Sequence, residues 1–180
     1  MKKVWELVGG GKQLGVACDQ VINSSSYPIP SHNPLLQLVS QSLRFISTAI
    51  RSGAYRDIFE SRDTIQGLIA GIVVSNLALR TRDIEAFEDT PLEYIRGELQ
   101  VSDVSTPRQA AADVVKALVG VGRESEIATT TIASEWISRA LAEASQGGED
   151  GWKSKDAAVY LFEAVATRSG TLTVRAAFDA

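Results

Sequence analysis

Asp83 to Arg96 reads D-I-E-A-F-E-D-T-P-L-E-Y-I-R, an acidic run carrying Phe87 and Tyr94 between two stretches of ordinary helical periodicity. Within it, Thr90-Pro91-Leu92-Glu93 has the form of a helix start: a capping Thr, Pro at the first helical position, and Glu three residues after the Thr. Leu92, Ile95 and Leu99 follow at helical spacing. One face of a short helix is therefore expected to dock while Glu93, Arg96 and Glu98 stay in water. So much local specification argues against an idle linker, and a plain surface loop has no use for Phe87 and Tyr94. The run interrupts a series of amphipathic helices, and so decides how those helices pair.

On its amino-terminal side, Ser61 caps a helix whose buried face is Ile65, Leu68, Ile69, Ile72 and Val73, running on to Arg80. Earlier still, Asn33 and Pro34 open a long helix with the stripe Leu36, Val39, Leu43, Ile46 and Ile50, in alternating steps of three and four. Ser24 to Ser31, with Pro28 and Pro30, reads as a loop. Val4–Leu7 and Leu14–Ile22 are helical in tone, and Gly9-Gly10-Gly11 between them weakens that reading.

On its carboxyl-terminal side, Thr106-Pro107-Arg108-Gln109 repeats the capping-box start, and Ala111, Val114, Val115, Leu118 and Val119 form the stripe up to Gly122. A helix from about Arg123 to Ala144 is expected to bury Ala133, Trp136, Ile137, Ala140, Leu141 and Ala144. After the turn Gln146–Gly151, the last helix, Ser154 to Arg168, places Ala158, Leu161, Phe162 and Val165 inside. The tail from Ser169 has no clear period, and Thr171–Val174 alternates too briefly to carry weight.

The reading is all-α, with helices paired as hairpins over residues 1–52, 61–122 and 123–168 and an acidic insert over 81–105. The second and third hairpins begin about 62 residues apart. Without the 25-residue insert that spacing falls to about 37, close to the ~40 of HEAT-type repeats. The expected architecture is a three-hairpin α-solenoid segment in which each hairpin touches only its neighbours.

Composition narrows the function. The chain has 180 residues, 44% apolar and 22% charged, which is ordinary for a globular protein. A formal charge of −4 with scattered basic residues argues against a nucleic-acid face. Cys18 and His32 are the single residues of their kinds, so no disulfide framework and no His/Cys metal site is expected. Glu6 and Lys12 interrupt any signal-peptide core. The longest apolar run, Leu68–Leu79, is too short to span a bilayer. A soluble intracellular chain, without membrane insertion, is the expectation.

Gly9-Gly10-Gly11-Lys12-Gln13 lacks the G-x-x-x-x-G-K-[ST] of a phosphate loop, and no strand precedes it. Cys18 and His32 sit in different elements with no third group to orient them, which fits a core thiol and a loop imidazole better than a nucleophile and its base. Asp83, Glu85, Glu88, Asp89 and Glu93 read as a solvated acidic face, because helical or turn spacing spreads them round the surface. Beside Phe87 and Tyr94, the same acids also suit a basic protein surface, giving steering together with aromatic anchors. An all-α enzyme would need a concave acidic pocket and a metal, and neither an enzyme nor a cofactor is expected. A second patch, Trp152-Lys153-Ser154-Lys155-Asp156, puts Trp just before the expected helix start, where it staples the incoming chain. Its lysines oppose the helix dipole and favour a partner contact as the alternative.

These two patches carry a resemblance. Phe87–Arg96 (F-E-D-T-P-L-E-Y-I-R) with Ser102–Ala111 (S-D-V-S-T-P-R-Q-A-A) is similar to the importin-alpha re-exporters of the importin-beta-type karyopherins. Their pattern there runs roughly F-E-D-x-P-x-E-Y-I-R-R-D-x-E-G-S-D-x-D-T-R-R-R-A-A. Trp152–Leu161 (W-K-S-K-D-A-A-V-Y-L) resembles the same family's W-K-x-K-D-x-x-x-Y-L at about the expected distance downstream. Gly97 stands where the family has a second Arg, and Pro107 and Gln109 replace two of three basic residues, leaving Arg108.

The resemblance implies a HEAT solenoid that binds the Ran GTPase in its GTP form and carries importin-alpha out of the nucleus, shuttling between nucleus and cytoplasm across the nuclear envelope. It implies that the acidic segment is an insertion within one central repeat, associated with Ran contact and with flexing of the solenoid. The partner-binding candidates are then Asp83, Glu85, Phe87, Glu88, Asp89, Glu93, Tyr94 and Arg96, with Trp152, Lys153 and Lys155 as a secondary patch. Receptors of this kind are several times longer, so a central fragment flanked by further HEAT repeats is expected. The alternative is an unrelated HEAT or armadillo-like scaffold, which would have no need of both motifs.

Overall fold

The computed structural model of the protein describes residues 34–99, 106–146, 151–168 and 171–172. The readings placed before Pro34, among them the two short helices, the glycine run, Cys18 and His32, lie outside these residues. The described chain is helical. α1 is Pro34–Arg51, α2 is Arg56–Phe59 and α3 is Arg62–Leu68. A π-turn at Ile69–Val73 leads into α4, Val74–Leu77. The insert supplies α5, Thr81–Asp89, and α6, Pro91–Leu99. α7 is Pro107–Val121, α8 is Arg123–Ser145 and α9 is Gly151–Ala166. A two-residue antiparallel ladder closes the described chain, Thr167 opposite Leu172 and Arg168 opposite Thr171.

α7 is the hub. Its sequence P-R-Q-A-A-A-D-V-V-K-A-L-V-G-V is small and apolar on nearly every side, the signature of a helix surrounded by others. Ala110, Ala111, Ala117, Val114, Val115, Leu118 and Val119 are all buried. Alanines let neighbouring backbones approach closely, and α1, α4, α8 and α9 all pack against α7. α1 buries Leu43 and Ile50, with Val39 and Ile46 partly covered. Two serines share that face without penalty because each bonds within its own helix, Ser40 Oγ to the Leu36 carbonyl (2.9 Å) and Ser47 Oγ to the Leu43 carbonyl (3.1 Å). α8 and α9 pair with each other along their length.

The α7–α8 corner is made without a loop. Gly122 ends one helix and begins the next in an extended conformation (φ 173°). The carbonyls this strands at the end of α7 are taken up locally. Ser125 Oγ donates to the Leu118 carbonyl (2.7 Å), and Arg56 Nη2 donates to the Val121 carbonyl (2.6 Å).

The structure departs from the expected elements at several points. The helix expected to run to Arg80 ends at Leu77, where Ala78 turns extended (ψ 135°), and its middle is a π-turn. That break also divides Arg62–Asp89, a stretch apolar and long enough by composition to cross a membrane. Leu141 and Phe162, expected inside, are partly exposed along an apolar groove of about 370 Å³ between α8 and α9. The last helix starts at Gly151, three residues before the expected Ser154. It stops at Ala166, where Thr167 and Arg168 enter the ladder.

Candidate partner-binding site

The insert is a helical pair of its own. α5, which sequence periodicity did not mark as a helix, starts where the Asp83 carboxylate accepts the Arg80 backbone N–H (3.0 Å), satisfying a donor that α5 itself leaves unpaired. Asp83 is therefore partly committed to the fold. Thr90 separates the two helices, but it does not cap α6 as its T-P-L-E context predicts. Its Oγ1 turns back to the Ala86 carbonyl (3.3 Å) and closes α5 instead.

Phe87 and Tyr94 pack edge to face across the pair, ring centroids 5.8 Å apart and planes at 82°. Such contacts are worth about 0.5–1.5 kcal/mol beyond area burial, so the two aromatics hold the insert together. Phe87 still leaves 47% of its surface exposed. The expected docking face of α6 is not docked: Leu92 is 68% and Ile95 43% exposed. α6 turns its Tyr94 side to α5, and at ~100° per residue this carries Leu92 and Ile95 round to the open surface. Glu85, Glu88, Asp89, Glu93 and Arg96 are all exposed. Among the described residues, no three His, Cys or acidic side chains stand close enough to hold a metal ion. The result is an acidic, partly apolar projection that packs mainly on itself.

The second patch is built differently from its reading. Trp152 is the second residue of α9, 49% exposed, with Lys153 Nζ 5.9 Å from its ring centroid. A staple must precede the helix and pack down onto it, so Trp152 is not one. Lys155 is exposed and Lys153 half-buried.

Sequence reasoning missed Arg108. Its Nη2 meets Asp156 Oδ2 at 2.5 Å, and its guanidinium carbon lies 4.1 Å from the Tyr160 ring centroid. The Arg108 side chain is only 11% exposed, whereas that of Asp156 is 36% exposed. Asp156 and Tyr160 are one turn apart on α9 and so address one guanidinium together. Arg108 is the remaining base of the T-P-R-Q motif, and Asp156 and Tyr160 belong to W-K-S-K-D-A-A-V-Y-L. The two family-like motifs meet in space. The signal lay in the i, i+4 spacing of Asp156 and Tyr160 with a lone Arg in the partner motif.

Next to Arg108, Thr106 and Gln109 form the expected box. Thr106 Oγ1 accepts from the Gln109 backbone N–H (3.2 Å), and Gln109 Oε1 accepts from the Thr106 N–H (3.0 Å). Gln109 Nε2 also donates a long 3.5 Å bond to the Gly97 carbonyl of α6.

Helical pairs packed round α7, with an acidic projection and exposed aromatic groups at the surface, fit a segment of an α-solenoid. The Cse1 family model matches residues 28–176. The chain is 36% identical over 134 residues to Exportin-2 of Pagrus major, covering 74% of this chain and 14% of that protein. To Exportin-2 of Drosophila melanogaster it is 36% identical over 140 residues, 78% of this chain and 14% of the relative. To human Exportin-2 it is 35% identical over 134 residues, with 74% and 14% covered. The chain belongs to the Cse1 family, and is a segment of an all-α HEAT-type solenoid. It spans about 14% of the length of these relatives.

Proposed function

We propose that this chain is the central part of a nuclear export receptor that binds Ran in its GTP form and importin-alpha, returning importin-alpha to the cytoplasm. It acts by binding and carries out no chemistry. The receptor shuttles between nucleus and cytoplasm. In this reading the hairpins are 1–52, 61–122 and 123–168, and the insert 81–105 is the contact element. Glu85, Glu88, Asp89 and Glu93 steer it onto a basic surface of Ran or of a neighbouring repeat. Phe87 and Tyr94 anchor it, with Arg96 and Asp83 at its borders. Trp152, Lys153 and Lys155 form a subsidiary contact.

The observation that carries the proposal is the insert's build. Five carboxylates and a half-exposed Phe87 are held on a helical pair that packs mainly on itself, within a chain whose family match runs through it. A chimera tests it. The matching segment of the Drosophila relative is replaced by this one, and nuclear export of importin-alpha is measured in cells lacking the endogenous receptor. Restored export is expected. A chimera that is folded and abundant yet leaves importin-alpha in the nucleus contradicts the proposal.

A further inference from the structure

The contacts around residues 106–109 join the two patches that the sequence shows as separate. Running outward from the body, α9 presents Asp156 and Tyr160, and Arg108 is held between them. Arg108 lies inside the capping box of Thr106 and Gln109. Gln109 in turn reaches the Gly97 carbonyl in the second helix of the insert. Pro107 is buried, so the chain is fixed where it returns from the insert.

The chemistry of Arg108 makes this a directional attachment. The Arg108 Nε is buried without a hydrogen-bond partner among the described residues. A guanidinium in that position is costly to desolvate, and its compensation comes from the Asp156 carboxylate and the Tyr160 ring. Both depend on the angle between α7 and the first turns of α9. The other end of the insert is tied differently: α5 begins after the extended Ala78, with the Asp83 carboxylate on the Arg80 N–H and Arg80 Nη2 donating a long 3.4 Å bond to Asn76 Oδ1 of α4.

We propose that Arg108 is a positioning residue. Gripped by Asp156 and Tyr160, it sets the pose of the α5–α6 insert relative to the α8–α9 hairpin, and a disturbance at the Trp152–Asp156 helix start reaches the insert through it. This rests on the insert being the contact element, but it is testable without any partner.

The test measures two distances in the full chain with Cys18 replaced by Ser. Spin labels at exposed Glu85 and Ser138 report the insert against the body, and labels at exposed Ser138 and Glu163 report the body alone. Asp156→Asn and Tyr160→Leu are each expected to broaden the first distribution and leave the second as it was. Val159→Ala, an exposed position between Asp156 and Tyr160 on α9, leaves both unchanged. Hydrogen exchange at residues 106–110 should speed up roughly tenfold in Asp156→Asn, the scale of one charge-assisted bond. An unchanged insert distribution in both variants overturns the proposal. So does equal broadening of both pairs, because the contact then holds the hairpins together without orienting the insert. Loss of Ran binding in the chimera leaves these distances untouched, so the two readings fail separately.

Discussion

Thr90 and Thr106 stand in nearly the same local sequence, T-P-L-E and T-P-R-Q, and do different things. Thr106 has the extended backbone of a cap (φ −67°, ψ 156°) and trades hydrogen bonds with Gln109. Thr90 follows directly on α5 (φ −142°, ψ 68°), so its hydroxyl is drawn to the stranded carbonyl of Ala86 behind it. Replacing Thr106 by Ala should cost about 1 kcal/mol, whereas Thr90→Ala should stay within about 0.5 kcal/mol as an exposed change. Urea denaturation of the full chain compares the two, and equal losses would contradict these assignments. The sequence marks both residues as punctuation, but which helix each hydroxyl serves depends on what precedes it. Arg108 was legible only in part. Its place in a motif was visible, but its neighbours come from α9, 48 residues away, and no local pattern announces such a pair.

Among the elements, the helices packed on α7 were readable from their stripes, because burial on one face repeats with the helical period. The π-turn at Ile69–Val73 has a signal in the sequence. Ile65, Ile69, Val73 and Leu77 are all fully buried and spaced strictly by four. In a regular α-helix each such step overshoots a turn by about 40°, and three would carry the stripe about 120° off the core. A wider turn keeps all four in the core. The insert escaped in the opposite direction. Its helices pack mainly on each other, so they lack the stripe that docking on a core imposes, and Leu92 and Ile95 misled by resembling one. Trp152 misleads in the same way: it reads as a staple only if α9 begins at Ser154, and the helix begins at Gly151. With so little packing on the body, the insert should open first. Amides of residues 81–99 should exchange faster than those of 107–121 by at least about a hundredfold, the gap between local and global opening. Equal protection in both would show that the insert is part of the main cooperative unit.

At the scale of the molecule, hub and projection divide the labour. α7 gathers four helices and, through Arg108 and Gln109, lies one contact away from both patches that resemble export receptors. The solenoid class came from helix spacing once the insert was set aside, and the family came from the two motifs. Their meeting at Arg108 needed the structure. The proposed function depends above all on contact between the insert and the partner. The decisive measurement is the affinity of the Drosophila chimera for Ran in its GTP form, with Phe87 and Tyr94 intact and with both replaced by Ala. Loss of two anchors in an acidic contact should weaken binding by about tenfold or more, with helix content preserved. Unchanged affinity would contradict that contact.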